Sequence, residues 1–236
     1  MPASAGWGRT EEGIHRMAQQ ADGTARRGRG RPPRLSRDQI VSAAAELAAR
    51  EPGVVLTIKR VAEAVDSAPM ALYRYFPDRD DLLQAVADRI IADAEHTEPP
   101  GDTWQDQLRA WMHTSRERLR PYRQLLSYMA ATEQPAWVPA LVTLTRVLRP
   151  LRLGEDELAL AVTLVCSTVI GHAVYETHRR PAEQKMAGLR EALALRPHEE
   201  QEAVAPLLPR LPDAQRRLYD VVVDRTIAAV EALATG

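Results

Sequence analysis

Apolar residues recur every three or four positions along most of this chain, and no stretch alternates apolar with polar as a half-buried strand would. The pattern predicts an all-α protein. A first helix should open at Ser36, where Gln39 stands three residues on as in a capping box. It then runs through "RDQIVSAAAELAAR" with Ile40, Ala44, Leu47 and Ala48 on one stripe. "EPG" at 51–53 stops it. Thr57 caps a short second helix, "IKRVAEAV", whose Ile58, Val61, Ala62 and Val65 face inward. "DSAP" turns the chain into a third helix that begins at Pro69 and ends before Pro77. Asp78 caps a fourth, "RDDLLQAVADRIIADAE". The Pro- and Gly-bearing "TEPPGD" at 97–102 is the clearest boundary in the chain. Longer helices are expected near 103–119, 122–131, 137–151, 156–179, 182–195 and 213–234. The expected organisation is therefore a basic arm at 1–34, disordered when free, a helical head at 35–96 and a helical second domain at 102–236.

The short helices raise the first functional question. Two helices of about eight residues joined by a turn of three or four have the proportions of a helix-turn-helix unit. On a helix starting at Pro69, Leu72 and Phe76 lie four apart and face the core with Val61 and Val65, which leaves Met70, Tyr73, Arg74 and the edge of Tyr75 outward. That outward set carries phosphate and base-edge chemistry. Tyr73 can donate to a phosphate oxygen, Arg74 can pair with phosphate or guanine, and Ala68, Met70 and Ala71 allow close approach to a thymine methyl. The simpler reading is that the tyrosines cap the core with their hydroxyls in water.

Charge favours the first reading. The formal net charge of −1 conceals 12 Lys/Arg against 9 Asp/Glu over residues 26–89. Six arginines crowd into "RRGRGRPPRLSR" without an acid, so Arg31 and Arg34 are candidate contacts to a polyanion. Cys166 is the sole cysteine, which excludes an internal disulfide and a four-Cys zinc site and favours a reducing compartment. No signal-peptide pattern or uninterrupted apolar span of membrane length is present, so the expected location is the cytoplasm with no membrane partner.

Residues 36–90 resemble the tetracycline-repressor (TetR) family of bacterial transcription regulators. The likeness rests on "TIKRVAEAV" and "APMALYRYFPDRDDLL": a Thr-opened helix, a Leu-Tyr pair, an aromatic residue, a short polar link and an acidic-Leu-Leu run. By resemblance, Thr57 and Tyr73 would hold phosphates. Lys59, residues 68–71, Arg74 and Tyr75 would face the major groove, and Arg79 would take a backbone-contact place often held by lysine. Asp66 and Ser67 stand where Gly-Val is common, which places Ser67 beside the reading helix. The resemblance implies a homodimer on a palindromic operator in double-stranded DNA, with repression the family default and release by a small-molecule effector. A DNA-binding nucleoid or scaffolding protein without sequence specificity would explain the arginines but not the spacing of residues 57–82.

Family members also carry a helical C-terminal domain that dimerises and encloses a ligand pocket. The residues give that reading separate support. Trp104, Trp111, Met112, Tyr122, Tyr128 and Trp137 cluster in sequence, and aromatics with polar tips beside flexible Met are common pocket linings as well as common core. The expected lining draws on Trp111, Ser115, Tyr128, Met129, Trp137, Leu141, Leu144, Thr168 and His172. His172 and Glu176, one turn apart, could bind a metal, pair with a polar ligand or be a satisfied core pair. No metal site, cofactor or catalytic motif is expected, so the chain does not read as an enzyme. "DELALAVTLVCSTVIGHAVYETH" is apolar nearly all round, so a partner subunit should cover part of it. The final helix places Leu218, Val221, Val222, Ile227 and Val230 near one broad face, and Val169 and Val222 are expected in the dimer contact.

Overall fold

The computed structural model describes residues 35–94, 97–130, 135–177 and 182–235. Arg31, Arg34 and the rest of the basic arm lie outside these. The head is α1 (Arg37–Arg50), α2 (Ile58–Ala64), α3 (Pro69–Leu72) and α4 (Arg79–Ala92). Its helices start where the side chains supply caps. Ser36 accepts from the Gln39 amide at 3.1 Å while the Gln39 side chain accepts from Ser36 N–H, Thr57 caps α2, and Asp78 accepts from the Asp81 amide at 2.8 Å. Helix α3 is one turn long. Tyr73–Tyr75 continue as a turn, yet Phe76 N–H still reaches the Leu72 carbonyl at 3.0 Å. That bond keeps Leu72 and Phe76 on one side, and both are fully buried beside Val61. Arg37 closes this mini-core from outside, its guanidinium 4.8 Å from the Phe76 ring centroid.

Asp66 makes the turn between α2 and α3 with φ of 49°, a left-handed conformation that glycine adopts more readily. Gly101 (φ 145°) sits at the turn into the second bundle, where a Cβ would lie 2.6 Å from the Asp106 Cβ. Thr103 then caps the next helix by accepting from Asp106 N–H at 3.1 Å.

That bundle comprises α5 (Trp104–Leu119), a 3₁₀ segment (Arg120–Leu125), α6 (Leu126–Met129), a 3₁₀ turn (Pro135–Trp137), α7 (Val138–Leu148), α8 (Glu155–Thr177), α9 (Ala182–Ala194), α10 (His198–Val204) and α11 (Leu211–Leu233). Helix α10 was not expected from sequence. Helix α8 packs on α5, α7 and α11, while α4 packs on α6 and on both 3₁₀ segments, so head and bundle share one apolar core. By length and composition α8 could cross a bilayer, but Val165, Cys166, Val169 and Ile170 are core residues here. Val169, expected at a dimer contact, therefore points into its own protomer. Helix α11 divides likewise. Tyr219, Val223, Ile227 and Val230 are buried, whereas Val221 is exposed and Leu218 and Val222 are half-buried. The broad face read from sequence is really two faces, because 23 residues of helix present different sides to α5 and α8 and to solvent.

Candidate DNA-reading surface and effector cavity

The reading surface forms because Leu72 and Phe76 anchor a segment too short to bury anything else. Met70 is 74% exposed and Tyr73 46% exposed, while Ala68 and Arg74 are also open to solvent and Ser67 and Ala71 are half-buried. Arg74 forms no ion pair with any described residue. Lys59 reaches Glu63 only at 4.0 Å on an exposed helix face, a pair weak enough to exchange for a phosphate. Thr57 Oγ accepts from Arg60 N–H at 3.2 Å, which leaves its own proton to donate.

Two of the expected contacts are engaged within the fold. Arg79 donates from Nε to the Leu56 carbonyl at 2.8 Å, leaving its terminal nitrogens partly open. Tyr75 turns away from the outward set: it is half-buried, and its hydroxyl donates to the carbonyl of Leu35 at the root of the arm. Tyr75 thus fixes the start of α1 against the end of the reading segment.

Between head and bundle lies a cavity of about 420 Å³. Helix α1 contributes Ala45, Glu46 and Ala49, helix α4 contributes Arg89, Ile90 and Asp93, and the bundle contributes Trp111, Ser115, Arg118, Tyr122, Trp137 and Ala140. Arg89 is held by Asp93 on its own helix and by Asp38 of α1 at 2.6 Å. Those hydrogen bonds, Asp93 foremost, raise the affinity of its guanidinium for the proton. Trp137 Nε1 is buried with no hydrogen-bond partner.

Of the expected lining, Trp111, Ser115 and Trp137 meet on this wall. The structure sends the others elsewhere. Leu141 joins Trp137, Val162 and Cys166 around a separate hollow between α7 and α8. Met129 and Leu144 are fully buried core. Tyr128 donates to Asp80 at 2.7 Å, a bond that with partial burial pushes its phenol pKa up. Thr168 faces Thr226 across α8 and α11 at 3.5 Å. His172 stacks on Tyr219 with ring centroids 4.5 Å apart, in a cluster where Arg116 makes a two-pronged pair with Glu176 at 2.6 and 3.1 Å. His172 Nε2 also lies 3.6 Å from Glu176, so the turn-spaced pair belongs to a packed polar cluster.

Sequence reasoning overlooked the contribution of α1 to the cavity, since alanines carry no chemical signal. It also missed Gln124. The Gln124 side chain accepts from Leu56 N–H at 2.8 Å and donates to the Val54 carbonyl at 2.6 Å, clasping the loop between α1 and α2. A second clasp runs from Gln84 Nε2 to the Tyr128 carbonyl at 3.2 Å.

A four-helix head with an exposed one-turn reading segment, set on an all-α bundle, defines a helix-turn-helix protein of the one-component regulator class. Residues 40–86 match the family described as bacterial regulatory proteins, tetR family, and residues 97–220 match the tetracyclin repressor-like C-terminal domain. The chain belongs to the TetR family. It is 29% identical over 170 residues to the HTH-type transcriptional repressor DrrR1 of Streptomyces coeruleorubidus, covering 70% of this chain. The match spans 62% of that relative's length. Apo ActR from Streptomyces coelicolor superimposes with a TM-score of 0.67 at 22% identity, covering 85% of this chain and 97% of ActR. ActR in complex with actinorhodin gives 0.66 at 22% identity, with coverage of 85% and 97%.

Proposed function

We propose that this protein is a sequence-specific DNA-binding transcriptional repressor that a small molecule releases from a palindromic operator. The reading face is Lys59, Ala68, Met70, Ala71, Tyr73 and Arg74, with Thr57, Ser67 and Arg79 at its margin and Arg31 and Arg34 adding contacts from the arm. The effector occupies the cavity between head and bundle. One observation carries this reading: the exposed Met70–Arg74 segment and the 420 Å³ cavity are built on the same four-helix head, so a molecule in the cavity touches α1 and α4 directly. Two copies join through the open sides of α8 and α11, where Leu160, Tyr175 and Val221 are 56%, 42% and 45% exposed. Two linked heads read two half-sites, and a change in head placement then alters affinity for both together.

The test begins with selection of bound fragments from genomic DNA, followed by footprinting. A two-fold protected site is expected. Tyr73→Phe should weaken all sites alike, whereas Lys59→Ala and Arg74→Ala should also relax base preference, by about 1–3 kcal/mol for a lost bidentate contact. Unchanged operator affinity in all three folded variants would overturn the assignment of the reading face.

A further inference from the structure

Trp137 stands at the junction of the 3₁₀ turn and α7, only 6% exposed, on the wall of the cavity. Its indole Nε1–H has no partner, although buried donors are nearly always satisfied. A desolvated donor in a cavity wall is a penalty carried by the empty protein, and an acceptor delivered by a ligand removes it. The surrounding wall sets the shape of that ligand. Trp111, Tyr122 and Trp137 supply ring faces, while Ala45, Ala49 and Ala140 leave room between the helices for something flat. Charge does not choose the ligand, because Arg89 and Arg118 are balanced by Glu46 and Asp93. We propose that the ligand is a planar aromatic compound bearing a carbonyl-type oxygen, anchored by a hydrogen bond from Trp137 Nε1–H. This rests on the reading of the cavity as the effector site.

Anthraquinone-2-sulfonate and anthracene-2-sulfonate share a three-ring frame and a solubilising charge, and differ in two carbonyl oxygens. Calorimetric titration into the full chain should show the quinone binding about five- to tenfold tighter, the yield of one buried hydrogen bond. Trp137→Phe keeps a ring in the wall but removes the donor, so it should bind both probes equally and melt no earlier than the parent. Ala45→Leu fills the cavity and should weaken both. Equal affinity of the parent for the two probes, or a preference that survives Trp137→Phe, would overturn the anchor while leaving the cavity in place. Failure of both probes to bind, or indifference of both to Ala45→Leu, would overturn the cavity reading and the anchor with it.

Discussion

Gln124→Ala removes the side chain that clasps the loop of the head. In the folded chain its amide satisfies two backbone groups at once, Leu56 N–H at 2.8 Å and Val54 C=O at 2.6 Å, and Leu56 is 2% exposed. Each neutral hydrogen bond contributes about 1 kcal/mol net, and a buried amide left without a partner costs about 1–3 kcal/mol. Partial hydration of the shortened site offsets some of this, so the expected loss is about 2–3 kcal/mol. In a chain of this size that lowers the melting temperature by roughly 4–12 °C. Hydrogen exchange gives the sharper readout: the Leu56 amide should exchange about 30- to 150-fold faster, since about 1.4 kcal/mol is a factor of ten. Gln124→Glu keeps an acceptor for Leu56 but cannot donate to Val54, so it should not restore stability. Leu56 exchange at the parental rate in folded Gln124→Ala protein, with an unchanged melting temperature, would refute the clasp.

Phe76→Ala empties the centre of the head and should cost about 3–5 kcal/mol in thermal or denaturant unfolding; a loss under 1 kcal/mol would show that the mini-core is not built around this ring. Burial pushes the Cys166 thiol up to about 12 and raises the Tyr219 phenol pKa as well. Both folded pKa values lie above the unfolded ones, so the stability they confer is full below about pH 9 and is lost as pH rises towards 12. Denaturant titrations across that range should show the decline, and Cys166→Ala should reduce it. Leu160→Asp and Val221→Asp place charge on the open faces of α8 and α11, and should give folded monomers with weak operator binding by sedimentation and gel shift. Val169→Asp, by contrast, should unfold the protomer, because its side chain lies in the core.

The head was legible nearly to the residue because its signals are local: Ser36 with Gln39, Thr57 and Asp78 each report a helix start within three positions. The third helix was read too long, since Phe76 keeps its inward place through one backbone bond after the helix has given way to a turn. Helix α10 escaped notice because "HEEQEAV" is short, polar and without a buried face, so no periodicity marks it. The aromatic content between 104 and 145 pointed to a cavity, but which residues share a wall depends on contacts across 60 or more positions. Trp111 and Trp137 met Ala45, whereas His172 met Tyr219 instead. Gln124 could not be read at all, because its partners are backbone groups that every residue possesses.

The unbroken core from Ile40 to Val230 bears on how this protein can be recombined. A transplant cut at the Pro-rich boundary would strand the head without the Gln124 amide, without the α6 surface under α4 and without half of its cavity. Domain exchange with a relative should therefore succeed only when the 120–129 segment travels with the head or the recipient supplies an equivalent amide. Diversification of effector choice within such an architecture is then expected to proceed by substitution along the seam rather than by shuffling of whole modules.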